Sequence, residues 1–107
     1  MENLLNNALL LDFYGGLLTQ RQRDIYHLHF CEDMSFSEIG DRFGITRQAV
    51  NFSLKQTQKN LEAFEEALGM IAHHKSAKTI IAQLKSALEA GDIAESNHIL
   101  SKLDSLI

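Results

Sequence analysis

Four cations, Arg42, Arg47, Lys55 and Lys59, fall between Arg42 and Asn60, and no acidic residue interrupts them. Thr46, Gln48, Asn51 and Phe52 are interspersed among them. These side-chain types read nucleic acid. Arg bonds guanine with two donors, Gln and Asn bond adenine in the same way, and an aromatic ring can touch a thymine methyl. Lys and Arg also hold phosphate, which positions a protein on the duplex without reading sequence. To act together the residues must share a face. At 100° per residue, Gln48, Asn51, Phe52, Lys55 and Lys59 lie on one side of a helix opened by Arg47. Val50, Leu54, Thr57, Leu61, Phe64 and Leu68 form the opposite, apolar stripe. Glu62, Glu65 and Glu66 then turn the helix acidic, so a phosphate-facing surface is expected to end near Lys59. Thr46, Arg47, Gln48, Asn51, Phe52, Lys55 and Lys59 are therefore the candidate DNA contacts. A short helical hairpin with a solvated polar face would show the same residues.

The elements that must position this face are legible upstream. Ser35 and Glu38 have the spacing of a capping box, which opens a short helix with Ile39 and Phe43 on one side. Gly44 follows where the chain must turn with positive φ, which Gly adopts cheaply. Thr46 is placed to cap the next helix. Ile45, Val50 and Leu54 complete an apolar cluster with Ile39 and Phe43, and the small residues Gly40 and Ala49 fall at the expected closest approach. This is the layout of a helix-turn-helix, whose second helix enters a DNA major groove.

Residues 3–14 predict a helix with Leu4, Leu5, Leu9, Leu10, Leu11, Phe13 and Tyr14 around most of its circumference. It must be covered on more than one side, by the rest of the domain or a second subunit. Gly15-Gly16 ends it. Thr19 and Gln22 form a second capping box, opening a helix to about Cys31 with Ile25 and Leu28 on its buried side. Arg21 and Arg23 are placed either to reach phosphate or to remain solvated. His27, His29 and Cys31 hold metal-ligating types, but i, i+2 and i+4 do not converge on a helix, so a buried Cys beside surface histidines is expected instead. The second helix of the motif has no evident stop before Gly69; run to about Ala72 it would be roughly 39 Å long. Ser76 is the expected cap of a helix to Ala90 with Ala77, Ile80, Ile81, Leu84 and Leu88 in one stripe. Gly91 stops it, and Asp92 caps a last helix burying Ile99, Leu100, Leu103 and Leu106. These two form an antiparallel hairpin over 76–107.

A chain of 107 residues with no proline and one cysteine predicts a single all-α domain over 1–107, its helix-turn-helix core at 19–60, in a reducing cytoplasm. Neither a signal peptide nor an 18-residue apolar run is present, so no membrane partner is expected. No nucleophile–base pair, phosphate-binding glycine loop or carboxylate dyad stands out, so neither an enzyme nor a cofactor is expected. The net charge of −4 opposes tight non-specific DNA binding by the whole molecule. Three or four phosphate contacts bind weakly, which favours a homodimer or a larger complex.

From Leu17 to Leu61 the chain resembles region 4 of bacterial sigma factors. Leu18-Thr19-Gln20-Arg21-Gln22-Arg23, Met34-Ser35-Phe36-Ser37-Glu38-Ile39-Gly40 and Phe43-Gly44-Ile45-Thr46-Arg47-Gln48-Ala49-Val50 carry the likeness. Across its length it is similar to the YlxM-like family of small bacterial proteins, through Asp12-Phe13-Tyr14-Gly15-Gly16-Leu17-Leu18-Thr19 and Leu54-Lys55-Gln56-Thr57-Gln58-Lys59-Asn60-Leu61. The resemblance implies an all-α, sigma-region-4-like helix-turn-helix with an extended recognition helix and a C-terminal hairpin. It implies DNA reading around Arg47, Gln48 and Asn51, and a regulatory role in the signal recognition particle pathway. An accessory binding that particle's RNA or GTPase is the alternative. Ser53 departs from the region-4 pattern, where an aliphatic residue is usual, and Leu54 takes its place.

Overall fold

The computed structural model describes residues 2–107, with side chains from Asn6 onward; the Leu4 and Leu5 side chains lie outside that description. The described chain is all helical: α1 (Glu2–Tyr14), α2 (Gln20–Phe30), α3 (Phe36–Phe43), α4 (Arg47–Leu68), α5 (Met70–Glu89) and α6 (Ile93–Leu106), with a short 3-10 turn at Gly15–Leu17. It divides into two compact units, Met1–Gly69 and Met70–Ile107.

In the first unit, local chemistry sets each boundary. Thr19 Oγ1 accepts from the Gln22 N–H at 3.2 Å while Gln22 Oε1 accepts from the Thr19 N–H at 3.1 Å. Ser35 and Glu38 exchange the same pair of bonds, both at 3.1 Å, at the start of α3. Each box satisfies backbone donors that the first helical turn leaves without a partner. Gly44 ends α3 at φ +66, where a side chain would be strained. The Ile45 N–H then donates to the Gly40 carbonyl at 2.9 Å, closing the turn. A Cβ at Gly40 would stand 2.7 Å from the Ile45 carbonyl oxygen, so only glycine lets the turn fold back this closely. The sequence assigned that close approach to the crossing helices; it is made by the turn itself.

The core of this unit comprises Leu10 and Tyr14 of α1, Leu18 just after the 3-10 turn, Ile25 and Tyr26 of α2, Ile39 of α3, and Val50, Leu54, Thr57 and Leu61 of α4. α1 packs on both α2 and α4, which leaves Leu10 and Tyr14 buried and Leu9, Leu11 and Phe13 half-buried. Tyr14 sits 6.1 Å from the Phe64 ring and donates its hydroxyl to the Glu65 carboxylate. The apolar stripe of α4 is buried as far as Leu61, whereas Leu68 is exposed. α4 stops at Leu68, C-capped by Gly69 at φ +62.

The second unit is an antiparallel pair. α5 begins at Met70, earlier than the Ser76 start expected from the sequence, because residues 70–75 contain nothing that breaks a helix. Asp92 Oδ1 accepts from the Glu95 N–H at 3.0 Å and caps α6. Ile71, Ala87, Ser96 and Ile99 are buried. Ile81, Leu88 and Leu100, expected inside, are exposed, because two helices can cover only one stripe of each other.

Candidate nucleic-acid interface

α4 is oriented by what it buries. Val50 is 0% exposed, Leu54 6% and Leu61 0%, packed on α2, α3 and α1. At 100° per residue the opposite flank must then face outward. Arg47, Gln48, Phe52, Lys55 and Lys59 are exposed and Asn51 is half-buried. Thr46, also exposed, accepts at its Oγ1 from the Ala49 N–H at 3.0 Å, so its hydroxyl caps the helix. It sits at the edge of the face, with its acceptor already engaged.

Among the described residues, Arg47, Lys55 and Lys59 have no ion pair. Their charges are therefore available to an anion. Asn51 has two neighbourhoods. On one side it lines a shallow depression with Phe36, Arg47 and Gln48. On the other it borders a groove of about 410 Å³ with Asn6, His29, Phe30, Phe36 and Lys55, closed at its far end by Gln58 and Glu62. Glu62 is the first acid after Lys59, and its place at this end agrees with a cationic surface that stops there.

The groove has a stiff floor. Tyr26 donates its hydroxyl to Gln58 Oε1 at 2.7 Å, and Gln58 Nε2 donates to Glu62 at 3.0 Å. Burial first, and then the charges of Cys31 and Glu62, hold the Tyr26 phenol well above its usual range, so it stays a donor. Gln58 lies one residue from Lys59 yet is committed inward. The His29 ring lies 4.8 Å from Phe30 and 4.9 Å from Phe36, and its Nδ1 donates to the Met34 carbonyl at 2.9 Å. It thereby ties α2 to the loop that launches α3.

One expectation is corrected. Cys31 is exposed at the end of α2 rather than buried, and His29 rather than Cys31 is the partly covered member of the trio. The thiol is nonetheless held above its usual pKa, by partial desolvation first and by Asp12 and Glu32 after it. Arg21 stays exposed, as the solvated reading has it, with its guanidinium engaged by its own chain. Its guanidinium donates to the Phe43 carbonyl at 3.2 Å and lies 5.4 Å from the centre of the Phe43 ring, fastening α2 to the end of α3. Arg23 donates to Gln20 at 2.8 Å. Asn6, His29 and Phe36 beside Asn51 and Lys55 were absent from the sequence reading, because nothing in local spacing links α1 or α2 to this face. Ser53 is half-buried and Leu54 buried, as the departure from the region-4 pattern requires.

Comparison with known proteins agrees with this geometry. Residues 1–100 match the family model described as "UPF0122: Putative helix-turn-helix protein, YlxM / p13 like". A UPF0122 protein of Symbiobacterium thermophilum is 35% identical over 103 residues, covering 96% of each chain. One of Halalkalibacterium halodurans is 36% identical over 106 residues, covering 99% of this chain and 95% of its own. One of Exiguobacterium sibiricum is 43% identical over 76 residues, covering 71% and 72%.

Proposed function

We propose that this chain, which belongs to the YlxM / p13-like helix-turn-helix family, binds duplex DNA as a cytoplasmic, non-enzymatic regulator, through the outer face of α4. Arg47, Gln48 and Asn51 read base edges in the major groove, Phe52 rests against a thymine methyl, and Lys55 and Lys59 hold phosphates beyond. Thr46 sets the start of the helix and hence the depth at which Arg47 and Gln48 reach. The observation that carries the reading is the open, unpaired state of Arg47, Lys55 and Lys59 on the flank opposite the buried stripe.

Selection of genomic fragments by the purified protein tests it. Fragments sharing a motif are expected, and Arg47→Ala and Gln48→Ala should each weaken a selected site by about 1–3 kcal/mol and relax base preference. Failure to enrich any DNA would refute the reading.

A second reading rests on Phe52, 71% exposed on the cationic flank. An open aromatic ring beside lysines suits stacking on an unpaired base, the way RNA loops are held. In that case the partner is the signal recognition particle's RNA, or its GTPase, and the pathway is protein targeting. Co-purification of particle components without DNA would select this reading over the first.

A further inference from the structure

The 70–107 unit carries more apolar surface than a helical hairpin can bury. Ile80, Leu84 and Ala87 of α5 and Ser96, Ile99 and Leu103 of α6 are buried or half-buried. Each helix bears a second stripe beside that inner one: Ile81 (46% exposed) and Leu88 (62%) on α5, and Ile93 (74%) and Leu100 (47%) on α6, continued by Ile107. The members repeat every seven residues, so each stripe keeps one side of its helix. On both helices the outer stripe is rotated by about a quarter turn, in the same sense, from the inner one. In an antiparallel pair, equal rotation puts both stripes on one side of the hairpin. His73 Nε2 donates to the Leu106 carbonyl at 3.3 Å, and that register sets Ile81 level with Leu100 and Leu88 level with Ile93. The result is a continuous apolar ridge.

We infer that this ridge is the contact between two copies of the chain, forming an antiparallel four-helix bundle in which α5 of each copy lies against α6 of the other. Three observations select a second copy. The five side chains leave roughly 600 Å² open, at the upper limit for a monomer's apolar patch and near the ~800 Å² per partner of a standard interface once its polar rim is added. A unit of under about 40 residues usually depends on disulfides, metal or oligomerisation, and residues 70–107 contain no cysteine. Charge also permits self-contact. Lys75, Lys78, Lys85 and Lys102 balance Glu89, Asp92, Glu95 and Asp104, so the molecule's net charge of −4 resides wholly in the other unit. The rim sets the pairing. Lys78 flanks the ridge on α5 and Asp104 flanks it on α6, so α5 against α6 brings opposite charges to one level, whereas α5 against α5 opposes lysines.

The inference is independent of any nucleic-acid reading, and its test contains no nucleic acid. Sedimentation equilibrium of the full chain should give twice the 12.1 kDa monomer mass, dissociating on dilution. Ile93→Gln with Leu100→Gln should give a monomer of unchanged far-UV circular dichroism, since both residues lie outside the hairpin's own core. Lys78→Glu should weaken the dimer several-fold at low salt, and adding Asp104→Lys to it should restore the affinity. A wild-type chain that stays monomeric across the micromolar range overturns the inference. So does a double variant that dimerises as tightly as the wild type. Should the double variant lose helicity, the charge series decides: dimerisation indifferent to Lys78→Glu overturns the α5–α6 arrangement.

Discussion

Gly40 and Thr57 show how single residues set the geometry of the α4 face. The Cβ of Gly40→Ala would press on the Ile45 carbonyl oxygen, a backbone atom that cannot swing aside. The variant should lose about 1–3 kcal/mol, the usual cost of overpacking, measured as a lower urea midpoint. Gly44→Ala, by contrast, meets open space and pays only for its positive φ. Thr57 Oγ1 is buried on the α4 stripe with no hydrogen-bond partner. Val has the same shape without the hydroxyl, so Thr57→Val should raise stability by about 1 kcal/mol. Loss of stability in that variant would mean that the hydroxyl does find a partner. The sequence showed Thr57 as a member of the apolar stripe, but whether its oxygen is satisfied depends on side chains from other helices.

At the scale of the element, the helix starts were the most legible part of the chain. Thr19/Gln22, Ser35/Glu38, Thr46 and Asp92 all cap as their spacing implies, because a cap is a contact across three residues. Glu38 makes one of them testable. The backbone N–H of Ser35, and then its hydroxyl, hold the Glu38 carboxylate below its ordinary pKa. A lowered folded-state pKa adds stability that is present above the unfolded value and is lost as pH falls through the folded one. Thermal midpoints should therefore drop on acidification below the ordinary carboxylate pKa of 4.5, and Glu38→Gln should flatten that part of the curve. Equal slopes in the two proteins would show that the box does not titrate. Where the sequence misplaced an element, at the start of α5, the local signal was ambiguous. A left-handed residue at Gly69 ends one helix, but the next residue is free to begin another.

For the whole molecule, the balance between net and local charge governs how it meets a polyanion. The net charge is −4, yet from Arg42 to Asn60 the chain carries only cations, and charges beyond a screening length of about 8–10 Å count for little. If Arg42, Arg47, Lys55 and Lys59 each displace one counterion, log affinity should fall against log salt with a slope of about −3 to −4 per copy. Lys59→Ala should flatten it by about one while leaving base preference intact. A salt-insensitive complex would exclude phosphate contact. What the sequence determined by itself was the set of helices, the caps of α2, α3, α4 and α6, the turn at Gly44 and the cationic flank of α4, since each follows from residues within about one or two helical turns of one another. Only the tertiary structure decided which apolar residues find cover and which polar groups pair across the chain: Arg21 on Phe43, 22 residues away, Tyr26 on Gln58, 32 away, and Tyr14 on Glu65, 51 away. Helical periodicity puts Ile80, Ile81, Leu84 and Leu88 of α5 in one broad stripe but cannot say which part of it is covered. Burial goes to the stripe that a neighbour reaches, and that neighbour is chosen by the fold.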